Sequence, residues 1–261
     1  MDADDSDRTN APRPTPPGPL AGRVALVTGS SRGMGRAIAI ALAAAGADVA
    51  VNCVERVEAA AATAEEIRAL GRRALVVPAD VSAPTAVERM VGHITAELGA
   101  AHVLVNNAGI GSRVADVDDI DLDLWHRTLA VNVTGAFLVT RAVLPAMRAA
   151  RWGRIVNIAS TAAQTGGSVG PHYAASKGAL IGLTHGYATR LVAEGVTVNA
   201  IAMALVETDL LHSATVADPA RIPVGRFGQP AEIAEVAVLL ATNAYMTGQT
   251  VSVNGGMYYT S

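Results

Sequence analysis

Short, β-branched runs alternate with longer, alanine-rich segments along nearly the whole chain, and this alternation constrains the fold most. Seven runs are almost continuously apolar, as strands covered on both faces are, and they span residues 24–28, 48–52, 74–78, 103–106, 154–159, 197–201 and 250–254. The spacing between them predicts helices over residues 35–45, 57–70, 85–98, 123–148, 173–193 and 231–241. Repeated βα units of this kind build one parallel sheet. We therefore predict an α/β fold with a doubly wound parallel sheet of about seven strands and helices on both faces.

The domain organisation follows from length and composition. The chain has 261 residues, 51% of them apolar, which is enough for one large core, and α/β domains of this size commonly remain undivided. Residues 1–20 are rich in Asp and Pro and have almost nothing apolar to bury, so we predict a disordered tail there and a single domain over residues 21–261. Charges, Gly and Pro interrupt the apolar runs before roughly 20 residues, so we expect no membrane span.

The charge balance and the cysteine content bear on partners and compartment. A formal net charge of -3 and 16% charged residues give no strongly basic field, so nucleic acid is not expected as a partner. The single cysteine, Cys53, cannot form an internal disulfide. The N-terminus begins with acidic residues rather than the basic, then apolar, start of a secretory signal. We therefore expect a cytoplasmic protein.

A glycine-rich turn, TGSSRGMG at residues 28–35, comes directly after the first predicted strand and opens the first predicted helix. The unpaired amides and the positive end of the helix dipole attract a pyrophosphate, and glycines let the backbone approach it closely. Ordinary turn glycines are the alternative that this turn alone leaves open. The turn predicts a dinucleotide-binding site that includes Gly29, Ser31, Arg32, Gly33, Met34 and Gly35.

Further motifs follow in order: Asp80 after the third predicted strand, and the segment NNAG at residues 106–109, which ends the fourth. Together with the Gly-x-x-x-Gly-x-Gly turn, they resemble the short-chain dehydrogenase/reductase family over about residues 22–257. The resemblance implies a Rossmann-type fold and a nicotinamide cofactor, with Asp80 and Val81 at the adenine ring. It also implies that the adenine side is lined by Asn107, Ala108 and Gly109. Taken singly, a turn signal and a helix N-cap are the alternatives.

The end of the second predicted strand bears on which nicotinamide cofactor is used. NAD-preferring enzymes place a carboxylate there, which bonds the ribose 2′-hydroxyl and repels a 2′-phosphate, whereas this chain has Asn52 and Cys53. Arg32, together with Arg56, could pair with the phosphate through charge-assisted hydrogen bonds. NADP(H) is therefore favoured over NAD(H). Glu55 nearby and a solvated Arg32 are the opposing considerations.

Tyr173 and Lys177 are candidates for the reacting centre because they stand at i and i+4 on one face of a predicted helix. We expect the ammonium, together with an oxidised nicotinamide, to lower the phenol pKa from about 10, so that Tyr173 exchanges a proton with the substrate oxygen. Ser160 ends the fifth strand and should polarise that oxygen. The resemblance adds Asn132, which implies a water linking the lysine to solvent, and places Tyr173 and Lys177 at the cofactor. His172 points away from Tyr173 on a helix and receives no role.

The segment after the sixth predicted strand departs from the family pattern. Met203 and Ala204 stand where most relatives carry Pro-Gly, in a loop that faces the nicotinamide. We expect either a shifted loop or φ values that alanine tolerates, with Met203 narrowing the site. Thr208, with Val206 beside it, matches the family residue at the carboxamide end of the cofactor. Residues 205–226 are expected to form a mobile substrate lid, with an ordinary surface connection as the alternative.

The motifs together predict an NADPH-dependent reductase of ketones, acting on 3-oxoacyl groups or on a secondary-metabolite ketone, with no metal. Oxidation of an alcohol is one alternative, and a cofactor-binding regulatory protein without turnover is another. The chain resembles 3-oxoacyl-(acyl-carrier-protein) reductases, which present two basic positions to their acidic carrier. Arg151 matches one position, but Glu194 at the other disfavours an acyl carrier protein. The resemblance further implies a homotetramer formed through the helices at residues 123–148 and 173–193 and the last strand.

Overall fold

The computed structural model describes residues 18–208 and 218–259. Most of the predicted tail, and residues 209–217 of the predicted lid, lie outside these ranges. All seven predicted strands are confirmed, with ends that differ by no more than a few residues. They are β1 (Val24–Val27), β2 (Asp48–Cys53), β3 (Ala74–Pro78), β4 (Val103–Asn106), β5 (Gly153–Ser160), β6 (Val196–Met203) and β7 (Thr250–Val253).

The strands form a single sheet in the order β3-β2-β1-β4-β5-β6-β7, and every pairing is parallel. The chain starts in the middle, winds outwards to β3, and then crosses back to β4 before it winds out to β7. The connections therefore diverge between β1 and β4, and a crevice opens at the carboxyl ends of these two strands. Open α/β sheets bind their ligands at this switch point. The predicted doubly wound architecture is confirmed.

Eight α-helices connect the strands of the described part of the chain. They are α1 (Gly33–Ala44), α2 (Val57–Ala69), α3 (Pro84–Glu97), α4 (Leu122–Leu129), α5 (Gly135–Ala149), α6 (Ala162–Thr165), α7 (Pro171–Leu191) and α8 (Pro230–Thr242). The single helix predicted over residues 123–148 is instead α4, a π-helical stretch at Ala130–Thr134, and α5. α6 was not predicted, because four residues are too few to display a helical period.

The core consists of two apolar layers, one on each face of the sheet. Successive residues of a strand point to opposite faces, so Val27 lies in the layer under α1, α2 and α8, whereas Leu26 lies in the layer under α3, α5 and α7. β1 is therefore apolar at all four positions, and its neighbours are apolar at most of theirs, as strands covered on both faces are. Leu20, at the start of the described chain, is fully buried in the first layer, and its N–H donates to the carbonyl of Ala45 at 2.9 Å.

The continuous run Leu122–Ala149 is, by length and composition, long and apolar enough to cross a membrane, and it is the one such helix within residues 18–208 and 218–259. This result departs from the expectation that charges would interrupt every apolar run. Core helices of soluble proteins pass the same criterion, however, and Val139, Val143 and Met147 of this run are buried in the second apolar layer. Packing against the sheet therefore accounts for the apolar residues on the buried face of this run.

The end of β6 shows how the chain accommodates Met203 and Ala204. Met203 pairs with Ser160 on β5 and with Val253 on β7, and the N–H of Ala204 donates to the carbonyl of Val253 at 3.3 Å. Among the non-glycine residues that the structure describes, only Arg151 has a positive φ. Ala204 therefore adopts a φ that alanine tolerates, which is the second of the two expected outcomes.

Candidate active site

The glycine turn lies at the carboxyl end of β1, where α1 begins at Gly33. Gly29 and Gly33 have positive φ values of 62° and 54°, which favour glycine. A Cβ added to Gly35 would overlap the carbonyl oxygen of Gly29, and one added to Gly29 would lie 3.0 Å from the Cα of Ala108. The backbone here is therefore bare and closely packed at a helix N-terminus. Such a cradle fits the pyrophosphate of a dinucleotide.

Thr28 and Asn107 hold the turn in place across the crevice. The Asn107 side-chain amide donates to the carbonyls of Thr28 and Gly29 at 2.8 and 3.0 Å. The Thr28 hydroxyl accepts from the backbone N–H groups of Asn107 and Ala108, each at 3.0 Å. The segment at residues 106–109 thus supports the glycine turn directly. The role of Thr28 emerges only once β1 and β4 are known to be neighbours.

Asn52, at the end of β2, is only 1% exposed, and its side chain points inwards. Its Oδ1 accepts from the N–H of Gly29 at 3.1 Å, and its Nδ2 donates to the carbonyls of Val77 and Ala79 at 3.0 and 3.1 Å. The amide therefore pins the glycine turn to β2 and β3 instead of lining the ribose position. Cys53 is also buried, and burial raises the pKa of its thiol.

Thr208, which is predicted at the carboxamide end of the cofactor, lies close to the glycine turn. Arg32 is exposed at the N-cap of α1. A Cβ added to Gly33 would lie 3.6 Å from the methyl carbon of Thr208, so the segment after β6 returns to the glycine turn. Val206 is buried beside this segment and forms a parallel bridge with Gly228. Ser31 and Met34, which are also predicted to bind the cofactor, are buried in the turn.

Asp80 and Val81 follow β3 with opposite exposures. Asp80 is exposed, and its carboxylate accepts from the N–H and the hydroxyl of Ser82 at 2.9 and 2.7 Å. The N-cap of α3 is Ala83, so capping does not account for Asp80. Val81 is buried against Gly135, where an added Cβ would lie 2.7 Å from a Val81 methyl carbon.

Three of the predicted catalytic side chains meet at the carboxyl end of β5. Ser160 is the last residue of that strand, and its side chain forms a hydrogen bond with Tyr173. Lys177 is the only lysine in the whole sequence. Its Nζ lies 5.6 Å from the centre of the Tyr173 ring and donates to the carbonyl of Ile158 at 2.8 Å. α7 thus places the phenol and the ammonium side by side over β5, as the i and i+4 spacing predicts.

Burial dominates the electrostatics of this centre. It raises the pKa of Tyr173 above its usual value of 10, and only the hydrogen bond with Ser160 opposes that shift. Burial also lowers the pKa of Lys177 to about 8. The expected lowering of the phenol pKa by Lys177 is therefore not found in the chain alone. Desolvation of the phenolate determines the direction of the shift.

Asn132 is buried within the π-helical stretch, and such distortions of a helix are frequent at functional sites. Its Oδ1 accepts from the N–H of Ile110 at 2.8 Å, and its Nδ2 donates to the carbonyl of Ile110 at 2.9 Å and to the hydroxyl of Ser176 at 3.0 Å. A Cβ added to Gly109 would lie 3.2 Å from this Oδ1 and 3.5 Å from Lys177 Nζ. Both side chains therefore pack against the bare backbone of Gly109.

A buried polar ladder behind the site was not predicted. Asn106 on β4 donates to Asn157 on β5 at 2.8 Å and to Thr140 on α5 at 3.1 Å. Asn157 donates to Thr184 on α7 at 2.9 Å. The ladder joins four elements beneath the reacting centre, and buried hydrogen bonds of this kind fix their relative positions. An asparagine inside the apolar run IVNIA was the available signal, since a buried amide needs partners.

A groove of about 560 Å³ opens beside the reacting centre. It lies between residues 114–117, which follow β4, and residues 166–171, which follow β5, with Ala174 of α7 among its walls. Its volume falls within the range of roughly 300–1,000 Å³ that is typical of small-molecule sites. Among the residues that the structure describes, no group of three or more His, Cys, Asp or Glu side chains could hold a metal ion.

The comparisons with known proteins agree with this geometry. The sequence model of the family described as short chain dehydrogenase matches residues 23–218. A 3-oxoacyl-(acyl-carrier-protein) reductase from Synechocystis is 42% identical over 91% of this chain and 98% of that protein.

Solved structures show the same fold. A 3-oxoacyl-(acyl-carrier-protein) reductase from Brucella melitensis superposes with a TM-score of 0.85 at 37% identity, over 93% of this chain and 94% of that one. A gluconate 5-dehydrogenase from Burkholderia cenocepacia, in complex with NADP and tartrate, superposes with a TM-score of 0.84 at 37% identity, over 91% and 96% of the two chains.

Proposed function

This chain belongs to the short-chain dehydrogenase/reductase family, and on that premise we propose that it reduces a ketone to an alcohol with NADPH. The observation that carries the proposal is the meeting of Ser160, Tyr173 and Lys177 at the carboxyl end of β5. The glycine turn stands at the same edge of the sheet, two strands away. A hydride donor bound on the turn would thus lie near an acid that can protonate the substrate oxygen.

The chain's own residues handle the proton and orient the substrate. NADPH, when bound, supplies the hydride that attacks the carbonyl carbon. The Ser160 hydroxyl donates a hydrogen bond to the carbonyl oxygen, and Tyr173 passes its phenol proton to the same oxygen. Lys177 stands beside the phenol as the next proton donor, because a pKa of about 8 leaves it largely protonated at neutral pH.

In the chain alone, burial holds Tyr173 in its protonated form, which is the form that reduction of a ketone starts from. A phenol that keeps its proton at neutral pH can donate it to the oxygen of a ketone. Oxidation of an alcohol would instead require the phenolate as a base, which burial disfavours in the chain alone. A regulatory protein without turnover is the remaining alternative, and the complete set of Ser160, Tyr173 and Lys177 argues against it.

The preference for NADPH is supported by the surroundings of the glycine turn. Asn52 and Cys53 stand at the end of β2 where NAD-preferring enzymes carry a carboxylate, and Glu55, two residues further on, is the carboxylate that opposes the preference. Arg32 is exposed at the N-cap of α1, where its guanidinium could pair with that phosphate. The related gluconate 5-dehydrogenase was solved with NADP.

We infer that the substrate is a free ketone or a small thioester rather than a group on an acidic carrier protein. Arg148 forms an ion pair with Glu194 at 2.6 Å, and the Arg151 guanidinium donates to the carbonyl of Ala193 at 3.0 Å. The carboxylate therefore neutralises part of the basic surface that an acidic partner would need. A 3-oxoacyl thioester assayed with and without a carrier protein tests this, and a marked preference for the carrier-bound form would contradict it.

The single, buried Cys53 fits the proposed cytoplasmic location.

A panel of ketones assayed with NADPH and with NADH tests the proposed function, with Tyr173→Phe as the matched variant. We expect oxidation of NADPH only when a ketone is present. Tyr173→Phe should lower kcat by about 100-fold to 10,000-fold, the usual contribution of a positioned acid, while NADPH still quenches the intrinsic fluorescence. NADPH binding without turnover on any ketone would instead indicate a regulatory protein. Near-normal kcat in Tyr173→Phe would show that another group donates the proton.

A further inference from the structure

The segment that follows β4 lies directly on the catalytic phenol. A Cβ added to Gly111 would stand 3.1 and 3.2 Å from two ring carbons of Tyr173. The bare backbone of Gly111 therefore packs against the ring itself, with a Val169 methyl carbon 3.7 Å from the same added Cβ. Because the ring has no room to move towards this segment, the position of the segment determines where the phenol oxygen points.

Hydrogen bonds from neighbouring elements fasten this segment on both sides of Gly111. Asn132 holds both backbone groups of Ile110, as described above. On the other side, the N–H of Val114 donates to the carbonyl of Val169 at 3.1 Å. Between these anchors, the carbonyl of Ser112 lies 3.1 Å from Nε2 of His172.

His172 is fully buried, and its two ring nitrogens are in different situations. A carbonyl oxygen can only accept, so Nε2 carries the proton in this contact. Nδ1 is buried without a hydrogen-bond partner among the described residues. It lies against Gly170, where an added Cβ would come within 2.9 Å of it. The imidazole thus makes a single hydrogen bond, and that bond goes to the residue next to Gly111.

The polarity of His172 is difficult to explain by packing alone. An aliphatic side chain at a fully buried position would avoid the cost of an unpaired nitrogen. The bond to Ser112 is what an imidazole adds and an aliphatic residue lacks. Neighbouring residues on a helix point apart, so His172 and Tyr173 contact successive residues of the segment after β4, Ser112 and Gly111, rather than each other.

We propose that His172 is a positioning residue for the reaction, which holds Ser112 and thereby keeps Gly111 packed against the ring of Tyr173. The inference rests on the proposed function, since it concerns the same phenol. His172 itself does not touch the reacting atoms. Its contribution is to fix one wall of the pocket that aims the phenol oxygen at the substrate.

Three substitutions separate the hydrogen bond from packing. In His172→Gln the amide nitrogen takes the place of Nε2 and can donate to Ser112, whereas in His172→Asn it takes the place of Nδ1 and cannot reach. His172→Leu removes both nitrogens. We expect the Asn and Leu variants to lose about tenfold to a hundredfold in kcat, as a misplaced catalytic group does, with the Kd for NADPH unchanged. His172→Gln should recover most of this loss.

Hydrogen exchange supplies a readout that does not depend on turnover. The amides of Ile110 and Val114, which flank the anchored residue, should exchange faster in the Asn and Leu variants than in the wild type or in His172→Gln. His93→Leu, at an exposed position on α3, is the control and should alter neither exchange nor kcat.

The outcomes distinguish this inference from the proposed function. A wild type that reduces no ketone would overturn the proposed function itself. An active wild type with normal kcat in His172→Leu, or equal losses in the Gln and Leu variants, would overturn only the positioning role. If the Leu variant does not fold, the comparison of the Gln and Asn variants still decides the question, since equal activity and equal exchange in those two would overturn it.

Discussion

Lys177 is held in an environment that disfavours its charge, because burial lowers its pKa to about 8 from 10.5. Between these two values the unfolded chain binds more protons than the folded one, so stability rises with pH across that window. Below pH 8 the whole penalty is present, which is about 3 kcal/mol for such a shift. The hydrogen bond to the carbonyl of Ile158 offsets part of this penalty. The residue proposed to deliver the proton is therefore one that the fold would be more stable without.

Lys177→Met should remove this penalty. At pH 7 we expect the variant to unfold at an equal or higher urea concentration than the wild type, although its reductase activity is lost. The stability of the wild type relative to the variant should increase as the pH rises from 8 to 10.5, because Lys177 loses its proton at a lower pH in the folded state than in the unfolded state. Urea titrations at pH 7 and pH 10 measure both effects. A stability difference between the two chains that does not change with pH would contradict the assignment.

Arg32 should determine the preference between the two nicotinamide cofactors. Arg32→Ala removes the exposed guanidinium at the start of α1, and we expect the KM for NADPH to rise about tenfold or more, as loss of a charge-assisted hydrogen bond does. The KM for NADH should change little. Arg36→Ala is the matched control, because Arg36 stands on the same helix and pairs with Glu66. Equal effects on the two cofactors would argue against a phosphate contact.

Gly35, in the first turn of α1, packs so closely on the glycine turn that it leaves no room for a side chain. Gly35→Ala would place a Cβ onto the carbonyl oxygen of Gly29 and within 2.5 Å of Asn107 Nδ2. We expect a loss of about 1–3 kcal/mol in the free energy of unfolding, as for other overpacked sites, and weaker NADPH binding. Gly92→Ala in α3 is the control. Its Cβ would meet nothing within 4 Å, so that variant should gain about 0.5–1 kcal/mol. Denaturant titration and fluorescence quenching by NADPH measure the two effects.

The helices and strands could be predicted from the sequence because the apolar residues of each follow the spacing that is typical of that element. All seven strands and the major helices lie where the alternation of apolar runs indicates. The π-helical stretch at Ala130–Thr134 was missed because it continues the helical spacing on both sides and departs from it only in hydrogen bonding.

The site was predictable only as far as local spacing reaches. The i and i+4 relation brings Tyr173 and Lys177 together, and the end of a strand places Ser160 at the crevice. The inward turn of Asn52 depends instead on contacts with strands on either side of β2. The packing of Gly111 on the ring of Tyr173 likewise joins residues more than 60 positions apart. A local pattern cannot specify which distant elements become neighbours, so such contacts require the folded chain.

At the scale of the whole molecule, the second apolar layer leaves part of α5 uncovered. Phe137, on that helix, is 39% exposed. The family resemblance assigns α5, together with α7 and β7, to a subunit interface. We propose a homotetramer, as is common for symmetric assemblies of enzymes. The partly exposed apolar surface of α5 would then be buried between subunits.

Light scattering on a sizing column tests this assembly. Four chains of 26.6 kDa would give about 106 kDa for a closed tetramer, and Phe137→Glu should shift the mass towards dimers or monomers. Leu70→Glu, at a residue 46% exposed on the far side of the sheet beyond α2, is the control and should leave the mass unchanged. A wild type with the mass of a monomer would contradict the assembly.

The burial of the only lysine also has a chemical consequence for the chain as a whole. Acylating reagents, acetyl transfer and ubiquitin-type conjugation all address ε-amines, and the single lysine here, on α7, is only 4% exposed. The folded protein therefore shields its lysine side chain from such reactions, whereas an unfolded copy exposes it. Amine acylation followed by mass spectrometry should consequently count unfolded molecules in a population, and a bound dinucleotide should lower that count.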